Sequence, residues 1–235
     1  MRRALTLAAA ALAVAPGAAA AAAPPRVNVM VVGKTRVLRA PVGVLARAVT
    51  VKAGSRRCAV AAGTPIAALA ALRTPSFAVR DYGSCSPTSP GASELLYVTR
   101  IGGDAAGGTR GWVYKVGRRA LGLGGANPRA RVPAGGRVLW FYCRLGLQGC
   151  QRTLELTGPA RAAPGAPVTF TVRAYDDNGR GRALGGARVR FGGASATTTA
   201  DGQATLTAPA TGGAARAEAD ARGLVPAFPL EVRVG

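Results

Sequence analysis

From Leu154 to the end, the chain is a succession of short alternating runs, LELTGPA, PVTFTVRAYDDNG, GARVRFGG, ASATTTADGQATLTAP, AARAEADARG and PLEVRVG, each closed by turn residues. A strand alternates its side chains between two faces, and strands broken by turns every 8–12 residues or so are the pattern of an all-β sandwich. In VTFTVRA, Val168, Phe170 and Val172 share one face, and Thr169, Thr171 and Arg173 share the other. Asp201-Gly202 tolerates the positive φ of a two-residue turn, so it predicts a hairpin between TTTA and QATLT. No site is legible in this half, which reads as a module that holds or spaces something.

The first half carries β-branched runs as well. VNVMVV (27–32) and AVTVK (48–52) are expected to pair, and LLYVTRI (95–101), GWVYKV (111–116) and RVLWFYC (137–143) read as three further strands. Thr64-Pro65-Ile66 before AALAAL supplies an N-cap, a proline at the first helical position and a stripe of Ile66, Leu69 and Leu72. That combination predicts one short helix over 65–72. Gly, Ser and Pro crowd 82–93, which reads as a loop. The fold class is therefore mainly β, with an α+β first domain and a sandwich second domain.

Ahead of both lies MRRALTLAAAALAVAPGAAAAAA, with Arg2 and Arg3 at its start, an apolar run over 4–15, and small residues offering A-x-A cleavage sites. These are the parts of a secretion signal over 1–23. The apolar run is about half the roughly 20 residues needed to span a bilayer. Pro16-Gly17 interrupts it, and no later stretch is apolar enough to cross. The chain closes on EVRVG without a sorting tail, so the expected location is secreted, extracellular or cell-wall associated, with no membrane span.

Charge divides the rest. Residues 26–151 hold 19 bases against 3 acids, a net of +16, whereas 152–235 hold 10 against 7. The shift predicts domains over 26–151 and 153–235. There is no histidine, which excludes Ser-His-Asp and Cys-His catalysis and His-ligated metal sites. No nucleophile has an adjacent activating group, so the expectation is a protein that is not an enzyme.

Four cysteines in an exported chain imply two disulfides with three connectivities. Pairing of sequence neighbours, Cys58 with Cys85 and Cys143 with Cys150, is the expectation. A four-cysteine zinc site competes, but no C-x-x-C spacing supports it, and no metal is expected. Asp176-Asp177-Asn178-Gly179 looks like a calcium loop but lacks the spacing and terminal glutamate of an EF-hand, and a plain turn is expected.

In GWVYKV, Trp112 and Tyr114 share a face, and in VLWFYC so do Trp140 and Tyr142. If the two strands pair, the four aromatics line up. They then either fill the core or form a platform for a sugar ring, a corrinoid or another flat ligand, with Trp112 the member expected at the surface. Between the strands runs a Gly-rich segment carrying Arg118, Arg119, Arg129, Arg131 and Arg137. Guanidinium forks suit carboxylate and phosphate, so an anionic envelope polymer or polysaccharide is the expected partner, and a merely solvated loop is the other reading. Nucleic acid is not expected, because no motif for it is present.

Two resemblances rest on these residues. GTPIAAL (63–69), GWVYKV and AGGRVLWFYC (134–143) resemble a bacterial extracellular domain related to the C-terminal β-domain of the cobalamin carriers transcobalamin and intrinsic factor, over about 27–143. That resemblance implies cobalamin binding or carriage by the first domain. The chain departs from it at Gly117-Arg118-Arg119, where Asn-Gly is usual, and in lacking the carriers' helical barrel. GARVRF, the T-x-A-D-G-x-A turn over 198–204 and a closing V-x-V strand resemble bacterial immunoglobulin-like domains over about 154–234, which implies a spacer or adhesive module. The function expected is non-catalytic binding at the cell envelope, the first domain recognising an anionic or ring-containing ligand; a purely structural surface module is the alternative.

Overall fold

The computed structural model describes residues 23–147 and 149–235, so all of the expected secretion signal but Ala23 lies outside the described residues. The first half comprises β1 (Arg26–Val32), β2 (Val37–Leu45), β3 (Val49–Ala53), β4 (Arg56–Val60), α1 (Pro65–Ala70), β5 (Phe77–Asp81), β6 (Leu96–Ile101), β7 (Asp104–Ala105), β8 (Arg110–Val116) and β9 (Arg137–Arg144). The second comprises β10 (Thr153–Thr157), β11 (Arg161–Ala162), β12 (Pro167–Tyr175), β13 (Gly181–Ala183), β14 (Arg188–Phe191), β15 (Ala194–Thr197), β16 (Gln203–Thr207), β17 (Gly213–Asp220) and β18 (Leu230–Val234). The protein is mainly β, with one α-helix among the described residues.

The central sheet of the first half runs β2-β1-β9-β8, with β1 parallel to β9 and the other pairs antiparallel. Two small sheets, β3-β4 and β5-β6-β7, and α1 complete the half. Its core gathers Val27, Val29 and Val31 of β1, Ile66 and Leu69 of α1, Leu96 and Val98 of β6, and the aromatics of β8 and β9. The helix starts as its cap demands: the Ala67 amide donates to Thr64 Oγ1 at 3.3 Å, and Pro65 occupies the first turn.

One expected pairing is overturned. Val27–Val32 does not pair with 48–52; β1 takes 37–45 as its antiparallel neighbour, and β3 pairs with β4. Pro41 and Gly43 disguise β2 as a loop in sequence, and β2 lies at the edge of the sheet, where a missing N–H is tolerated.

In the second half, β10-β12 with β13 and β16 forms one sheet and β11-β18-β17-β14-β15 the other. Between them lies a core built on Phe170, Val172, Val189, Phe191 and Val232, with Phe170 and Phe191 edge to face at 5.0 Å. The Asp201-Gly202 turn forms, with Gly202 at φ +82 and its amide donating to Thr199 O at 2.9 Å. The expected hairpin does not: β15 pairs with β14 and β16 with β12, so the chain changes sheets across the turn.

Both expected disulfides are present, Cys58–Cys85 and Cys143–Cys150. Bridges of this kind belong to compartments outside the reducing cytosol. No helix among the described residues is long and apolar enough to cross a membrane.

Candidate functional site

β8 and β9 pair in the register that sets Trp112 opposite Tyr142 and Tyr114 opposite Trp140. The rings meet as that register requires, at centroid distances of 5.6 and 5.2 Å. They do not form an exposed platform. Trp112, expected at the surface, is 8% exposed, and Trp140 is 2% exposed. The reason lies above them: the segment joining β8 to β9 folds back over this face and does not stand in solvent.

Close backbone approach makes that fold-back work. A Cβ at Gly124 would run into the carbonyl oxygen of Glu94, and one at Gly125 would lie 2.9 Å from both Ile66 and Trp140. With no side chain there, Ile66 N donates to Gly125 O at 2.9 Å and Val132 N to Gly63 O at 2.8 Å. The polar tips of the rings are then spent on backbone. Trp112 Nε1 donates to Asp104 O (2.7 Å), Tyr114 Oη to Leu123 O (3.0 Å), Trp140 Nε1 to Pro65 O (3.3 Å) and Tyr142 Oη to Ala105 O (2.9 Å). Burial raises the Tyr114 phenol far above its ordinary value, with Tyr97 adding to the shift.

The roof is incomplete. Trp112, Tyr114 and Trp140, but not Tyr142, border a cavity of about 220 Å³ closed on the loop side by Gly122 and Leu123. Its mouth is edged by Tyr97 of β6, 41% exposed, which stands edge to face against Tyr82 at 5.6 Å. Sequence reasoning missed Tyr97 and Tyr82. The alternation in LYVTRI, with Leu96 and Val98 inward, was the signal that turns Tyr97 outward.

The loop arginines separate into two groups. Arg129 and Arg131 are exposed, and neither pairs with a carboxylate among the described residues. Arg118 and Arg119 instead face the second half. Arg118 grips Glu155, with Nε and Nη2 each 3.1 Å from Oε1, and lies over the Tyr175 ring at 4.9 Å. The hydrogen bond to Glu155 raises the Arg118 pKa further. Arg119 packs against Gly179.

These contacts belong to a broad junction. The outer face of the central sheet, Met30, Val32, Leu139, Phe141 and Cys143, packs on Val225 and Phe228 of the second half. Beneath it Lys115, 0% exposed, donates to Thr153 Oγ1 (3.3 Å), Tyr175 O (3.2 Å) and Asp176 O (2.8 Å), and lies 3.4 Å from Asp177 Oδ1. Burial lowers the Lys115 pKa against the opposing pull of Asp177. The Asp176-Asp177 turn is therefore a clasp, with Asp177 Oδ2 also accepting from Cys150 N at 3.0 Å.

Two basic clefts flank the junction. One of about 380 Å³ is bordered by Arg118, Arg119 and Arg137 together with Glu155. The other, about 510 Å³, is bordered by Lys34, Arg36, Arg144 and Arg190 together with Asp220. The chain matches no family model, no curated protein and no solved structure, and the two resemblances rest on their motifs alone.

Proposed function

We propose that this is an exported, non-catalytic binding protein whose first half holds an anionic polymer of the cell envelope on its arginine-rich surface. One observation carries the reading. Of the 19 bases between Arg26 and Gln151, only Arg56, Lys115 and Arg118 have a carboxylate partner among the described residues. The other sixteen leave a strongly positive field, which draws and concentrates a polyanion. The three acids of this half do little to offset it. Burial pulls the Asp81 pKa up, but hydrogen bonds from the amides of Cys85 and Gly83 and from Arg56 outweigh it, so its charge is held locally. Export is supported by the N-terminal segment and the two disulfides. The second half, fastened through Lys115, serves as a stiff support.

Retention of the protein on purified anionic envelope polymers tests this, at about 0.01 M and about 1 M salt, where charge is screened over roughly 30 and 3 Å. Retention at low salt and release at high salt is expected; no retention at either overturns the reading. The corrinoid implied by the resemblance gains less support, since 220 Å³ falls below the ~300–1,000 Å³ of ordinary small-molecule pockets. A shifted visible spectrum on mixing with cobalamin would revive it.

A further inference from the structure

The cavity under the loop has a chemistry of its own, distinct from the basic surface around it. Its walls are ring faces and aliphatic carbons, because Trp112, Tyr114 and Trp140 have turned their N–H and O–H groups onto backbone carbonyls. Whatever enters must offer carbon-bound hydrogens or a π-face. At about 220 Å³ the space suits one ring and not a large cofactor.

The mouth adds what the walls lack. The hydroxyls of Tyr97 and Tyr82 make no hydrogen bond among the described residues, so both are available to a partner. Arg80 sits directly opposite Tyr97 in the β5–β6 pair, and its guanidinium lies over the Tyr82 ring at 5.1 Å. No carboxylate pairs with Arg80 among the described residues; its neighbour Asp81 is engaged by Arg56 and by the Cys85 and Gly83 amides. An apolar slot with the Tyr97 phenol on its rim, and with the Tyr82 phenol and the Arg80 guanidinium beside Tyr97, fits a ring with one CH face, several hydroxyls and one carboxylate. We propose that the cavity takes a single uronic acid ring of an acidic polysaccharide, its CH face against the aromatic wall and its carboxylate at Arg80. The proposal rests on the polyanion reading and narrows the polymer to a glycan.

Both tryptophans of the chain border the cavity, so their emission reports on it directly. The test titrates the full chain with a short oligogalacturonide, a neutral cello-oligosaccharide of equal length, tripolyphosphate and N-acetylphenylalaninamide. The uronate is expected to shift the emission saturably, with the neutral sugar about tenfold weaker and the other two silent. Arg80→Ala should bring the uronate down to the neutral sugar, and Tyr97→Ala should weaken both about tenfold. Both positions are exposed, and unchanged melting temperatures would confirm intact variants. An emission blind to uronate, the same response in Tyr97→Ala, an equal response to tripolyphosphate, or tighter occupancy by the phenylalanine amide would each overturn the proposal. If emission stays silent while envelope polymers are still retained at low salt, the cavity assignment falls and the polyanion reading stands; if retention is also lost, both fall.

Discussion

The two halves of this molecule differ in how far their charges balance, with 10 bases against 7 acids in the second and 19 against 3 in the first. On the second, Arg188, Arg190 and Arg216 lie along β14 and β17 beside Glu218 and Asp220, and the register of those strands sets base against acid: Arg188 faces Asp220 and Arg190 faces Glu218. Among the described residues, sixteen of the 19 first-half bases have no carboxylate partner, and the seven second-half bases in the same position stand in a half with nearly as many acids as bases. A surface that neutralises itself contributes mostly solubility and a little stability, whereas an unneutralised one is free to attract a counter-charge from outside. The contrast teaches where to look for binding, and it isolates Lys115 and Arg118 as first-half bases that borrow their acids from the second half.

The sharpest way to break the contrast is at Lys115. Its ammonium is fully buried, and every partner it has among the described residues is a second-half atom, so truncation strands the Asp177 carboxylate and two carbonyls. Lys115→Ala is expected to cost about 3 kcal/mol, as breaking a buried pair does, and to lower the melting temperature by roughly 10 °C. A loss under about 1 kcal/mol would mean that the apolar contact of Phe141 and Met30 with Val225 and Phe228 holds the halves unaided.

Much of this arrangement was legible in advance, and the part that was not has a common cause. Alternation located β8, β9 and the longer strands of the sandwich, and it put Trp112 with Tyr114 and Trp140 with Tyr142 on shared faces; their cross-strand matching came only with the register. Thr64-Pro65 fixed the start of the helix, and the cysteines paired as their spacing suggested. The failures arise because the central sheet is covered on both faces. Alternation alone then cannot say which face meets solvent: Trp112, expected at the surface, is buried, and so is Lys115 on the opposite face of β8, in the junction. The unbroken apolar runs MVV in β1 and VLWFYC in β9 were the available signal, since strands buried on both faces lose their polar alternation. Pairing of β1 with β9, more than a hundred residues downstream, leaves no local trace at all. For the same reason the aromatic cluster was visible as a cluster, while its depth, set by the close approach of Gly124 and Gly125 in the returning loop, was not.

A smaller effect sharpens the comparison through pH. Burial lowers the Lys115 pKa below its ordinary 10.5. Between the folded and unfolded values the unfolded chain binds more protons than the folded one, so stability rises with pH across that window. Below it the burial penalty is present in full, and above 10.5 it is gone. The difference in melting temperature between the native chain and Lys115→Met, followed into the alkaline range, should therefore move in favour of the native chain as pH approaches 10.5. A flat difference would mean that Asp177 compensates the ammonium completely, making the junction lysine equivalent to the paired arginines of β14.

The smallest effects set the two surfaces directly against each other. Arg190 reaches both Glu218 and Asp220 but is largely exposed, so Arg190→Ala should cost less than about 1 kcal/mol. Arg129 and Arg131 have no such partners among the described residues and sit in a half of net charge +16, so replacing both with Ala removes repulsion and no attraction. Chemical denaturation at about 0.01 M salt should find the Arg129→Ala/Arg131→Ala chain as stable as the native one or slightly more so, and the Arg190→Ala chain slightly less. At about 1 M salt the two differences should shrink together. The double variant should also bind anionic polymer less well, whereas Arg190→Ala binds as before. A double variant that loses stability at low salt would show that these loop arginines have partners within the fold, and the division between the self-paired β14–β17 face and an outward-facing first half would not extend to the loop.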